Sequence, residues 1–145
     1  MFRSGDLVAS RINIKSGMIA FVPFKNEDGK PVAEEIRATS EYYKFIPKLD
    51  EERKPKILKE YLFIVLTSRP IQLIMDAIAT GQYMRLKEEE LAKIKIPNPD
   101  LKKQEKVIKE FWQEKGKASQ LRKDAFSKID ELNGQIEGMI LNGKD

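Results

Sequence analysis

Leu91-Ala92-Lys93-Ile94-Lys95-Ile96-Pro97-Asn98-Pro99-Asp100-Leu101-Lys102-Lys103-Gln104 is the stretch whose reading decides the fold. Ile94 and Ile96 alternate with Lys93 and Lys95, which predicts a short half-buried strand. Pro97 and Pro99 then bar a helix, because a proline pushes the residue before it out of the helical region, until Asp100 can cap a new one. A compact domain is handed over here to one long helix.

Beyond the junction, Leu101, Gln104, Ile108, Phe111, Lys115, Ala118, Arg122, Ala125, Ile129, Leu132, Ile136 and Met139 follow the 3-4 spacing of a coiled-coil seam. A helix of ~40 residues is ~60 Å long, more than a small domain can cover. The seam is therefore expected to pair, antiparallel, with a helix of another copy or another protein. The pairing residues are Ile108, Phe111, Ala118, Ala125, Ile129, Leu132 and Ile136. Lys115, Gly116 and Arg122 interrupt it, so a kink or a local polar contact is expected over 115–122. Gly134 and Gly138, four apart, allow either close helix approach or fraying, and with Asn142 and Gly143 after them a frayed last turn is the favoured expectation.

Upstream, Leu7 to Ile12 and Met18 to Phe24 read as strands of a hairpin turning at Lys15-Ser16-Gly17. Residues 25–31 are a loop, and Val32 to Ala38 and Tyr42 to Ile46 are further strands, closed by Pro47. Pro55 is expected at the first turn of a buried helix whose face is Ile57, Leu58, Tyr61, Leu62, Val65 and Leu66. Ser68-Arg69-Pro70 breaks it and starts a second helix with Ile71, Ile74, Met75 and Ile78, which Gly81 can end in a left-handed conformation. A short strand at Tyr83 to Leu86 and a short helix at Lys87 to Ala92 follow, the latter with three glutamates where the helix dipole favours them. The expected fold is α/β (α+β): a small mixed or antiparallel sheet with packed helices and a long C-terminal coiled-coil-forming helix. Residues 1–97 form the domain and 98–145 the helix.

A chain of 145 residues with 41% hydrophobic content suffices for one core plus an extended element. With no cysteine and no histidine, disulfides, thiolate or imidazole metal sites and histidine acid–base catalysis are excluded. No apolar run has the length of a signal peptide or of a bilayer span, so the cytoplasm is the expected compartment. The net charge of +4 permits a polyanionic partner, but acidic residues nearly match basic ones along the chain, and lysines on amphipathic helices read first as a solvated face.

Several segments match one known family in order. Gly5-Asp6-Leu7-Val8-Ala9-Ser10-Arg11, Ser16-Gly17 before the apolar Met18 to Val22, Ser40-x-x-Tyr-x-Phe, Tyr61-Leu62 with Ser68, Gly81 before Gln82 to Leu86, and Pro-x-Pro-x-Leu-x-x-Gln span nearly the whole chain. This series resembles a target recognition domain of the DNA-specificity subunit of type I restriction-modification systems, and the Pro-x-Pro junction is its most specific part. Such subunits carry two domains and two spacer helices, with a substantial segment before the Gly-Asp strand. The resemblance therefore implies the C-terminal part of one recognition domain plus its spacer helix. It implies a non-enzymatic role without a cofactor: reading one part of a split double-stranded DNA target, while the helix sets spacing and docks the methyltransferase in a complex with the restriction subunit.

Base reading needs planar or bidentate groups and phosphate contact needs cations. Arg11, Asn13 and Lys15 at the first hairpin, and Gln82, Tyr83 and Arg85 in the later loop, supply them where strands end. For each, the competing reading is an ordinary surface side chain or a local salt bridge. The other non-enzymatic reading is a helix-driven assembly module that no longer reads DNA. An enzyme is disfavoured: Glu52-Arg53-Lys54 with Asp28 matches a nuclease fragment only by chance in a charged loop, and Asn98-Pro99-Asp100 lacks the aromatic residue that a methyltransferase motif needs. No catalytic or metal-ligating residue is expected.

Overall fold

The structure, a computed structural model, describes residues 2–12, 19–23, 40–81 and 85–143. The predicted turn at 15–17, the loop at 25–31 and the strand at 32–38 lie outside these residues, as do Asn13, Lys15, Gln82 and Tyr83. Among the described residues the fold is α+β, a three-stranded antiparallel sheet with four helices. The strands are β1 (Leu7–Ser10), β2 (Ile19–Phe21) and β3 (Tyr42–Phe45), in the order β2-β1-β3. Leu7 stands opposite Phe21 on one side and Phe45 on the other.

Alternation along β1 puts Leu7 and Ala9 on the buried face, where they meet two helices, α1 (Lys59–Thr67) and α2 (Arg69–Ile78). Leu62 and Leu66 from α1, Ile71 and Met75 from α2, and Ile19, Ala79 and Leu86 join them in the core. Leu7, Met75 and Leu86 are fully buried, each stabilising the fold by ~1.5–3 kcal/mol relative to an exposed side chain. Ser68 separates α1 from α2, which are bent by 68°, and its hydroxyl donates to the Val65 carbonyl. No single helix among the described residues is long and apolar enough to cross a membrane.

Several expectations need correction. Pro55 does not start α1: it pairs with Leu49 in an isolated bridge, because Asp50 accepts the N–H groups of Glu52 and Lys54 and folds 48–56 into a tight turn. Gly81 does adopt a left-handed φ of 82°, but α2 has already ended at Ile78; Thr80 and Arg85 form an isolated bridge, and Tyr83 and Met84 of the predicted strand lie outside the described residues. Ile94 and Ile96 are half-buried against the core while Lys93 and Lys95 are exposed, yet no strand forms there. Alternate burial needs only a core beneath the segment, not a neighbouring strand.

The short helix α3 runs Glu88–Lys93, and α4 runs Leu101–Asn142. Asp100 caps α4, accepting the Lys103 N–H at 3.0 Å. At the other end α4 runs to Asn142, where Gly143 takes a left-handed φ of 57° and the Asn142 side chain donates to the Gly138 carbonyl. The chain divides into two compact units, Met1–Ile108 and Lys109–Asp145. The first includes the opening turns of α4 because Gln104 is wholly buried in it.

Candidate nucleic-acid interface

Of the six residues proposed to face DNA, the structure describes Arg11 and Arg85, and it brings them together. Arg11 follows β1, where its N–H donates to the Glu41 carbonyl (2.8 Å) and its carbonyl accepts from Leu86 N–H (3.0 Å). Its guanidinium lies 4.3 Å from the centre of the Tyr43 ring, a cation–π contact. The Tyr43 hydroxyl donates to the Leu86 carbonyl at 2.8 Å, and burial pushes its phenol above the ordinary value although the neighbouring Arg11 pulls the other way. Arg85 donates from Nη2 to Glu41 Oε1 at 3.1 Å. Tyr43 and Glu41 thus gather both arginines at the start of β3.

Two arginines and the Glu41 carboxylate meet here, and the charge of Glu88 also acts on Tyr43. Arg85 is the freer of the two, with half its side chain exposed, and suits a phosphate or a base edge. The Nε of Arg11 is buried without a hydrogen-bond partner among the described residues. Tyr43 and Glu41 carried no sequence signal as site residues, since their role depends on partners that only folding brings near.

Two further fastenings give physical meaning to motifs read from the chain. Gly5 adopts a left-handed φ of 79° and donates to the Val22 carbonyl, aiming Asp6 into the domain. The Asp6 carboxylate accepts the Arg3 N–H at 2.8 Å and pairs with Lys44 at 2.6 Å and Lys59 at 3.7 Å. Burial alone would raise its pKa, but the Lys44 hydrogen bond, the Arg3 N–H and the charges of Lys44 and Lys59 outweigh it and hold the carboxyl below its ordinary 3.8.

The second fastening is the junction itself. Gln104, assigned by spacing to the seam, is instead buried under the Pro-x-Pro strap. Its Oε1 accepts from Leu58 N–H at 2.8 Å, while Nε2 lies 2.9 Å from the Pro99 carbonyl and 3.2 Å from both the Lys56 carbonyl and Asn98 Oδ1. The Tyr61 hydroxyl donates to the Pro97 carbonyl at 3.2 Å. One amide therefore ties the entry to α1, the strap and the first turn of α4 together.

Along the rest of α4, Ile108 and Phe111 are half-buried, whereas Ala118, Ala125, Ile129, Leu132 and Ile136 are exposed, the last three about half so. Phe111 and Trp112 meet edge to face, and the Lys115 ammonium sits 5.0 Å from the Trp112 ring centre, which explains a lysine in the seam. Glu52 and Lys54 pair with each other in the exposed turn, and no group of three acidic, histidine or cysteine side chains among the described residues is placed to hold a metal. Comparison of the chain with protein-family models, with curated proteins and with solved structures finds no match.

Proposed function

We propose that this chain is part of the DNA-specificity subunit of a type I restriction-modification system. In this role it reads one portion of a split target in the cytoplasm and docks the methyltransferase, and through it the restriction subunit, by its long helix. It binds and does not catalyse. The observation that carries the proposal is the junction: the strap Ile96-Pro97-Asn98-Pro99 and the buried Gln104 fix the first turn of α4 in the domain. A helix fastened in this way acts as a ruler of 1.5 Å per residue, while loops elsewhere vary to suit different bases. Arg11 and Arg85, gathered beside Tyr43, supply guanidinium groups for phosphate and base edges.

The helix is proposed to pair antiparallel with a second copy or a sister helix. Residues 109–123 hold five cations (Lys109, Lys115, Lys117, Arg122, Lys123) and two anions, whereas 124–138 hold one cation and four anions (Asp124, Asp130, Glu131, Glu137). Antiparallel pairing sets the basic half against the acidic half. With Ile129 opposite Ala118, Ile136 falls opposite Phe111, and Lys115 faces Leu132 rather than its own copy, as in-register parallel pairing would require.

A second reading, an assembly module that does not read DNA, is favoured by one observation: Tyr43 and Glu41 already engage both arginines. Fluorescence anisotropy with labelled duplex DNA across a salt series separates the two. Phosphate contact is expected to give affinity that falls steeply with salt, with a slope lessened by about one in Lys15→Ala. Self-association without DNA binding at low salt would leave only the assembly reading.

A further inference from the structure

An open apolar groove of about 420 Å³ lies on the domain between the segment after β3 and the start of α1, lined by Ile46, Leu49, Pro55, Ile57 and Leu58. Ile46 is 76% exposed and Leu49 55%, a high degree of exposure for aliphatic side chains grouped on one surface. The far end of α4 has the matching problem. Met139, Ile140 and Leu141 are 60%, 73% and 84% exposed. Successive helical residues point ~100° apart, so a seam that covers Met139 leaves Ile140 and Leu141 bare.

We infer that this groove receives the C-terminal turn of α4 from a second copy of the chain. The inference rests on the antiparallel pairing proposed above, which brings the last turn of one α4 beside the first turn of the other. In the register with Ile129 opposite Ala118, Leu141 falls opposite Lys106, two residues from Gln104. Gln104 is bonded to the groove wall itself, accepting from Leu58 N–H and donating to the Lys56 carbonyl. Charge agrees with the fit. Lys48 and Lys56 are exposed on the two segments that form the groove, and Lys59 and Glu60 both line it, three lysines against one glutamate, whereas the arriving turn carries Glu137 and the negative end of the helix dipole.

The absence of cysteine from the chain makes the test direct. Full-length Leu49→Cys and Leu141→Cys proteins, each confirmed to keep the parent circular dichroism spectrum, are mixed and treated with a short bis-maleimide. A covalent species at twice the chain mass of 16.7 kDa is expected. Leu73→Cys, an exposed position on α2, is expected to give none with Leu141→Cys. A mixture of Ala118→Cys and Ile129→Cys reports the antiparallel pairing independently. If that pair links and the groove pair does not, the groove has another occupant and the inference is overturned while the pairing stands. If neither links, the pairing falls and the inference with it.

Discussion

Replacing Gln104 by alanine removes the amide that joins the domain to its helix, and the cost follows from its bonds. Oε1 accepts one N–H, and Nε2 faces three acceptors with only two hydrogens to share, so three effective hydrogen bonds are lost. At ~1 kcal/mol net for each, Gln104→Ala is expected to lower stability by about 3 kcal/mol, more if the Leu58 N–H finds no water. For a unit of about 100 residues this corresponds to a melting temperature lower by about 12 to 24 °C. Gln104→Glu is expected to be at least as damaging at neutral pH, since it keeps the acceptor but offers a carboxylate to three oxygens that need a donor. Thermal unfolding followed by circular dichroism measures both, and hydrogen exchange at the Leu58 amide reports the broken bond locally. A melting temperature for Gln104→Ala within about 3 °C of the parent would refute the view that this amide fastens the junction.

Asp6 adds a pH dependence of known sign. Its folded pKa lies below its unfolded value, so its contribution is fully present above about pH 4 and is lost as pH falls through the folded value. Urea unfolding between pH 7 and pH 3 is expected to show a steeper acid loss for the parent than for Asp6→Asn, and parallel profiles would contradict the Lys44 and Lys59 pairing. Ile129→Asp puts a charge into the exposed seam, and sedimentation equilibrium is expected to show the self-association weakened or abolished with the fold intact. An unchanged mass in solution for this variant would count against pairing through that face.

The parts of this molecule legible in the chain are those governed by local chemistry. Alternation in Leu7 to Ser10 and Tyr42 to Phe45, the Ser68-Arg69-Pro70 break and the Asp100 cap depend on neighbours close in sequence, and all lie where expected. Pro55 misled because its suitability for a first helical turn was outweighed by the Asp50 turn, which draws it back to Leu49. Gln104 fitted the seam by spacing alone, and only the folded positions of Leu58, Lys56 and Pro99 show that it faces inward. The arginines behave in the same way. Arg11 and Arg85 are visible as cations at chain turns, but the Tyr43 ring and the Glu41 carboxylate that gather them come from a distant strand and the turn before it. Nothing within a few residues of either arginine announces that meeting.

The most direct test of the proposed role is a map of methylated adenines in the native genome, by single-molecule sequencing, with and without the gene for this chain. Loss of methylation at one split motif, restored by the parent gene, is the expected result. An unchanged pattern of methylated adenines in the deletion strain would contradict a part in DNA specificity and leave the helix as an assembly element alone.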